Sequence, residues 1–478
     1  MKKLLYYSLL LVLPLTSCSD KKEKSASTEI QDPKLEAFET KIEPIVQSYL
    51  DLEIFSGVVL VAKEGRPLFH KAYGLMNRST NQKVTKNTLF DIGSMNKTFT
   101  SVVVKQLAQE GKLSLSDRLT DFIPGFKDPK AKDITISHLL EHQSGFGDYH
   151  EEEYFELPLA ERKLASIIER AKTTPLDFPP GTEQSYSNLG YVILGGIIEV
   201  ASGTSYFDNV QKRIVDKLEL KETYLNNFDG LKDRIAIGYL YTPLGILEES
   251  IPLQDIPNPD GGFLSTSEDI MKFYRSYYYG TLLLSEKTKK DDPFFQSIQE
   301  IPDGAVEGAA GGYEGFNSAL LQVISDDLTI IVLANMDEPV AERIASDILN
   351  TYRGKQPEKP QKPAVQNVRI HYEEYGIEYI KEHFEELTVN FHPTDPKDLI
   401  LNTLGYAYLY GAQDTDKALE IFRLNTELFP DIANCWDSYG EALRQKGDNA
   451  AAIKAYSKAL EIQPQLESAR TALTELKK

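Results

Sequence analysis

Phe90-Asp91-Ile92-Gly93-Ser94-Met95-Asn96-Lys97-Thr98-Phe99-Thr100 is the stretch from which the reading of this chain grows. Met95, Phe99, Val102, Val103 and Leu107 recur at helical spacing, which predicts a helix entered through a short apolar strand or turn at Phe90 to Gly93. Residues three or four apart share a helical face, so Lys97 lies beside Ser94. A serine hydroxyl is a weak nucleophile until a base takes its proton, and here a lysine stands within reach with no histidine required. Ser94 falls at or near the helix N-terminus, where free N–H groups and the dipole favour a developing oxyanion. The spacing alone is unspecific. Roughly one or two chance copies are expected in a chain of this length, and Ser19-Asp20-Lys21-Lys22 is one.

The 478 residues allow roughly two to four domains, and 41% apolar content is ample for real cores. A formal net charge of −20 argues against a nucleic-acid partner, which needs a basic face. At the start, Lys2 and Lys3 precede the apolar run Leu4 to Leu15 and the small residues Thr16 and Ser17, the pattern of an export signal over residues 1–17. Leu15-Thr16-Ser17-Cys18 resembles the bacterial lipobox. That resemblance implies lipidation at Cys18, a membrane lipid anchor and a place in the bacterial cell envelope, on the periplasmic side or at the outer membrane. The only other cysteine, Cys435, is then expected to be a buried small hydrophobe rather than half of a disulfide.

Residues 18–34 are polar, without an apolar pattern, and read as a flexible tether. Ser56 to Ala62 and Pro67 to Tyr73 flank Glu64-Gly65-Arg66 as a hairpin, and Ser318 to Ile324 with Leu328 to Ala334 form another around Ser325-Asp326-Asp327. Mostly helical patterns lie between them. Strands at both ends predict an α+β domain over residues 35–353, one antiparallel sheet closed by both termini and flanked by helices, with a helical subdomain. Residues 354–367, rich in proline and lysine, read as a linker.

Residues 368–478 read as all-α. Leu401-x-x-Leu404-Gly405-x-x-Tyr408, Ala418-x-x-x-Phe422 and Pro430 are echoed by Trp436-x-x-Tyr439-Gly440-x-x-Leu443, Ala452-x-x-x-Tyr456 and Pro464. The later landmarks repeat at 34 residues and the glycines at 35. This resembles the tetratricopeptide repeat, a helix pair with small residues at its close contact. Two repeats fall short of the three or so that stand alone. Helices at Tyr375 to Leu387 and Leu466 to Leu476, or the preceding domain, must therefore cover their faces. The module is either an intramolecular brace or a groove for a peptide or protein partner.

A second constellation is Tyr186-Ser187-Asn188, followed by Leu189-Gly190-Tyr191 and an apolar helix. A tyrosine can shuttle protons near a lysine, and an amide can hold lysine and substrate by hydrogen bonds. Together with Phe90 to Thr100, His138-Leu139-Leu140-Glu141-His142-Gln143-Ser144-Gly145, Pro180-Gly181 and Gly261-Gly262-Phe263-Leu264-Ser265-Thr266, these residues resemble the serine β-lactamase and penicillin-binding protein superfamily. The nearest branch is that of class C β-lactamases and related esterases and D-amino peptidases. The resemblance covers roughly residues 40 to 350. It implies a β-lactamase/transpeptidase-like fold, Ser94 as acyl-accepting nucleophile and Lys97 as its base. It implies further that Tyr186 relays protons and that Asn188 positions Lys97 and substrate. Either Lys97 or Tyr186 can fill the role of main base. A lysine near pKa 10.4 is neutral only about 0.04% of the time at pH 7, so Lys97 has to be desolvated or placed near another cation.

The third family motif departs from the pattern. Where relatives carry Lys or His, a small residue and Gly, this chain has Ala309-Ala310-Gly311, followed by Gly312. The backbone N–H groups of Ser94 and Gly312 still qualify as an oxyanion hole. The cation that helps hold a β-lactam's carboxylate is missing, a loss of about 1.5–3 kcal/mol. Esters or amides without that carboxylate are the expected substrates, small molecules or peptides, with poor β-lactamase activity. No metal or organic cofactor is called for. His138 and His142 stand at i, i+4 but lack a carboxylate ligand pattern, and structural hydrogen bonding is expected of them. Ser265-Thr266-Ser267-Glu268 reads as a capping box, and Tyr277-Tyr278-Tyr279 as packing. The absence of G-x-S-x-G disfavours an α/β-hydrolase. The rival reading is an idle domain that binds peptidoglycan or peptide and scaffolds partners through its repeats.

Overall fold

The run Gly57–Lys63 (β1) is apolar at almost every position because both of its faces are covered. Val58, Leu60 and Ala62 point into one core, Val59 and Val61 into another. The computed structural model describes residues 33–150, 152–250, 256–300, 303–336, 339–389 and 396–477. The export segment, Cys18 and Ser19 to Lys22 lie outside the described residues. Helix α1 (Pro33–Asp51) begins within the last residues read as tether.

β1 pairs with β2 (Arg66–Tyr73) across the turn at Glu64-Gly65. Three strands from the far end of the domain complete the sheet: β3 (Val306–Tyr313), β4 (Phe316–Val323) and β5 (Leu328–Ala334). The order is β2-β1-β5-β4-β3, antiparallel throughout, with Gly57 opposite Ala334 and Lys63 opposite Leu328. Both sequence hairpins are present and the two ends of the domain meet in the sheet.

On one face, α1 and α5 (Val340–Tyr352) pack with Ile42, Val46, Ile344 and Ile348 against Val59, Ile330 and Val332. On the other, α2 (Asn96–Gln109), α3 (Asn188–Ser202) and α4 (Ser267–Tyr278) join the helical subdomain in a larger core. Full burial of each such Leu, Ile or Phe contributes about 1.5–3 kcal/mol. Phe99 of α2 stacks on Phe273 of α4 at 3.7 Å and meets Phe263 edge-on at 5.7 Å. This fixes α2, and so its first turn, against both neighbours. The cap of α4 lies one residue later than the sequence pattern suggested: Thr266 accepts from the N–H of Asp269.

The C-terminal region is helical from Ala364, inside the stretch read as linker, through α6 (Ala364–Tyr375), α7 (Ile377–Leu387), α8 (Asp398–Tyr406), α9 (Thr415–Leu428), α10 (Ala433–Lys446), α11 (Asn449–Ile462) and α12 (Glu467–Leu476). Gly405 lies against the ring of Phe422 and Gly440 against Tyr456, the close contacts that the repeat pattern implies. Cys435 is fully buried. Among the described residues no helix is long and apolar enough to cross a membrane.

A hairpin of the first domain, Tyr239–Tyr241 paired with Leu247–Glu249, reaches this helical region. Its tip residue Leu244 packs with the cluster formed by Val368, Tyr372 and Tyr408. The buried Gln366 side chain donates to the carbonyl of Thr242, and the ammonium of Lys362 sits 5.6 Å over the Tyr241 ring. At its base, Ser250 donates its N–H to Gly238, which backs onto the turn at Gly315.

Candidate active site

Ile92 and Gly93 lead from the short pairing of Phe90–Asp91 with Leu264–Ser265 into a 3-10 turn, Gly93–Met95, that runs directly into α2. Ser94 is therefore at the mouth of the helix. The Nζ of Lys97, one turn on, lies 2.9 Å from Ser94 Oγ, and Tyr186 Oη donates to the same oxygen at 2.7 Å. Asn188, the first residue of α3, accepts from Lys97 Nζ through Oδ1 at 2.7 Å. Ser187 caps α3 by accepting from the N–H of Gly190, which fixes Asn188 at the helix start. The four side chains singled out in the sequence thus meet in one hydrogen-bonded group.

Lys97 is 7% exposed. Burial lowers its pKa to about 8, against the opposing pull of Asp260 and Asp148. At that value about one lysine in ten is neutral at pH 7. Its third partner is the backbone carbonyl of Asp260 at 2.9 Å. The Asn188 amide oxygen and the Asp260 carbonyl can only accept, whereas Ser94 also owns a proton. A neutral Lys97 that keeps its two N–H bonds to the first two aims its lone pair at the Ser94 hydroxyl.

The segment carrying that carbonyl is stitched to α2 at three successive residues. Asn258 O accepts from Asn96 Nδ2 at 3.0 Å, Pro259 O from Thr100 Oγ1 at 2.6 Å, and Asp260 O from Lys97. The carboxylate of Asp260 is buried and accepts from Tyr149 Oη at 3.2 and 3.0 Å; burial raises its pKa, against Lys97 and His150. Asp148 accepts from Asn188 Nδ2 at 2.7 Å and lies 3.2 Å from His150 Nδ1. Burial pushes its pKa up, but His150 and these hydrogen bonds prevail and bring it to about 2. Tyr149, Asp148, His150 and Asp260 were not identified from the sequence.

His138 and His142 turn to different tasks. His138 Nδ1 accepts from the N–H of Thr135 in a capping box at 3.3 Å. His142 accepts from the N–H of Ser187 at 3.1 Å and stacks on Tyr186 with ring centroids 4.6 Å apart. Burial and nearby Lys97 lower the pKa of His142 to about 4, so the ring is neutral near pH 7.

β3 passes along the 3-10 turn at backbone contact. A Cβ on Gly93, which has φ +50°, would lie 2.9 Å from both Gly311 C and Gly312 N; one on Gly311 would lie 2.1 Å from Ile92 O. Ser318 Oγ donates to Ile92 O and Gly311 O, at 2.9 and 3.1 Å. Ala309 packs at the edge of the larger core and Ala310 is exposed. Ser94 and Gly312 line one cavity of about 390 Å³, together with Asp91, Tyr149, His150, Asn188, Asp260 and Glu314.

A family model described as Beta-lactamase matches residues 38–351, and one described as TPR repeat matches residues 440–475. The chain is 29% identical over 315 residues to penicillin-binding protein 4* of Bacillus subtilis (strain 168), covering 59% of this chain and 69% of that protein. It is 29% identical over 201 residues to teichoic acid D-alanine hydrolase of Staphylococcus aureus, covering 42% of this chain and 49% of the relative. The fold matches that of an octameric penicillin-binding protein homologue from Pyrococcus abyssi with a TM-score of 0.59 and 24% identity, over 67% of this chain and 78% of that one.

Proposed function

The chain belongs to the Beta-lactamase family of serine hydrolases, with a tetratricopeptide repeat region behind the hydrolase domain, and from that premise we propose that it cleaves an ester or amide through an acyl-enzyme on Ser94. The observation that carries this reading is the double approach to Ser94 Oγ, by Lys97 Nζ at 2.9 Å and Tyr186 Oη at 2.7 Å. Neutral Lys97 takes the hydroxyl proton as Oγ attacks the carbonyl carbon. The carbonyl oxygen gathers negative charge between the N–H groups of Ser94 and Gly312. Tyr186 passes a proton to the leaving group as the tetrahedral intermediate collapses. Water then enters and gives a proton to the Tyr186 phenolate as it attacks the acyl carbon, and protonated Lys97 returns its proton to Ser94 Oγ as the acid leaves. Asn188 holds the lysine throughout.

Ala309 supports a substrate without a carboxylate at that side of the site. A charge-assisted hydrogen bond worth about 1.5–3 kcal/mol is unavailable there, which lowers acylation by a β-lactam by one to two orders of magnitude. That a relative bears the name teichoic acid D-alanine hydrolase supports a reaction on an envelope polymer. The export pattern and Cys18 support an envelope lipoprotein.

Treatment of the purified protein with a fluorescent phosphonate, followed by peptide mapping, tests the hydrolase reading. An adduct on Ser94 that vanishes in Ser94→Ala is expected. No adduct, or one that survives the substitution, sinks the reading in favour of an idle binding domain.

A further inference from the structure

The side chain of Asn188 has an accepting end and a donating end of nearly the same shape, so its surroundings decide which end meets Lys97. The choice matters to the base. With the oxygen inward, Lys97 Nζ donates to Asn188 Oδ1 at 2.7 Å and to the Asp260 carbonyl at 2.9 Å, and a neutral lysine keeps its lone pair for Ser94. With the amide turned end for end, its N–H group would donate to that lone pair and draw it away from Ser94.

Asp148 stands at the outer end of this amide. Its Oδ2 accepts from Asn188 Nδ2 at 2.7 Å. Its Oδ1 accepts from the backbone N–H groups of Tyr149 and His150, at 2.7 and 3.2 Å, and lies 3.2 Å from His150 Nδ1. The carboxylate is thus held by its own loop with the second oxygen turned to α3. Burial works against its ionisation, but the His150 ring and these hydrogen bonds prevail and hold its pKa at about 2, so near pH 7 it can only accept. His150 Nδ1 is 3.3 Å from the same amide nitrogen, yet an imidazole nitrogen can donate or accept and selects neither end by itself. The residue before Asn188 is tied to the residue before Asp148: Ser187 Oγ donates to the Gly147 carbonyl at 3.0 Å. The loop and the start of α3 therefore meet in a fixed register.

We infer, on the basis of the serine-hydrolase reading above, that Asp148 is a positioning residue that keeps the oxygen of Asn188 toward Lys97 and so reserves the lysine's lone pair for Ser94. It acts through Asn188 without touching the nucleophile in this geometry. Its charge has a second effect. Burial lowers the pKa of Lys97 to about 8, and the Asp260 and Asp148 carboxylates pull it back up, so removing Asp148 moves the lysine further down.

The test follows the rate of phosphonate labelling at Ser94 against pH, in the full chain, for Asp148→Ala, Asp148→Asn and Asn188→Ala, and for Asp148→Ala combined with Asn188→Ala. The Asp148 side chain is 47% exposed, and thermal melts check that its variants fold. In Asp148→Ala the alkaline plateau is expected to fall about tenfold, the worth of a hydrogen bond to a charged group, while the midpoint moves to lower pH. Asp148→Asn, which keeps the shape and an acceptor, should show the same acid shift with a smaller loss at the plateau. In the Asn188→Ala background, Asp148→Ala should cost nothing further at the plateau. A role in folding alone would not move the midpoint. A plateau and midpoint unchanged in a folded Asp148 variant, or a tenfold loss that persists when Asn188 is already alanine, overturns this inference alone. Ser94 left unlabelled in the unaltered chain overturns the hydrolase reading and this inference with it.

Discussion

Gly93 and Gly311 meet backbone to backbone: a methyl group on Gly93 would sit 2.9 Å from the carbonyl carbon of Gly311, and one on Gly311 would sit 2.7 Å from the N–H nitrogen of Ser94. The two glycines let the turn that carries Ser94 and β3 approach each other, so that Gly312 and Ser94 line the same cavity. Gly311→Ala must push the strand away from the turn. A drop in kcat of about a hundredfold is expected, the usual cost of losing an oxyanion donor. Steady-state kinetics with circular dichroism as a folding control check it; a loss under threefold in a folded variant would refute the shared-site account.

The pH dependence follows from the burial of Lys97. Its pKa near 8 lies below that of an exposed lysine, so the neutral base is scarce in acid and plentiful above pH 8. The rate of phosphonate labelling should climb about tenfold per pH unit up to about 8 and then level off. For stability the sign runs upward with pH: between about 8 and the ordinary lysine value the unfolded chain holds the proton that the folded one has lost. A labelling rate flat from pH 6 to 8 would exclude Lys97 as the base.

His142 supports Tyr186 without touching Ser94 in the described geometry. Replacing it by alanine leaves the Ser187 N–H without its acceptor and the tyrosine without its stacking partner. A loss of about 1–2 kcal/mol in stability and about tenfold in kcat is expected, with KM little changed. Thermal melts and kinetics measured together decide it; unchanged kcat would reduce His142 to a structural hydrogen bond.

Installing a cation at position 309, which the proposed function links to poor β-lactam acylation, should raise that acylation. Ala309→Lys is expected to raise acylation by a carboxylated penicillin about ten- to a hundredfold. Stopped-flow labelling with a fluorescent penicillin measures it. Equal rates in both proteins would show that the cation at this position is not what limits them.

Much of this site was open to inspection in the sequence because its members are side chains of unusual chemistry at regular spacing. Ser94 and Lys97 sit one helical turn apart, and Tyr186 and Asn188 flank a helix start, so local rules reach them. The Asp260 carbonyl was hidden, since a backbone oxygen has no residue type to betray it. His142 was read as half of an i, i+4 pair with His138, yet its φ of +56° lifts it off that helix and onto Tyr186. The sheet was legible from its two hairpins because both faces of β1 and β5 are covered and their runs are apolar. The docking of the hairpin around Leu244 was not, because five short residues between two three-residue strands carry no periodicity.

Removal of residues 354–478 should uncover Tyr241 and Leu244. A destabilisation of about 2 kcal/mol is expected from the lost burial of Leu244, along with new protease cleavage between Tyr241 and Leu247. Leu244→Asp in the full chain should reproduce part of the effect. A truncated domain with unchanged melting temperature and unchanged protease resistance would show the contact to be idle.

The hairpin clasp also bears on how such chains can be recombined. A repeat region grafted onto another hydrolase would arrive with a socket but no plug, since Leu244 and Thr242 belong to the catalytic half. Exchange between relatives therefore has to move Tyr239–Glu249 together with the helices that grip it, and the true module boundary in this protein is a surface, not a point along the chain.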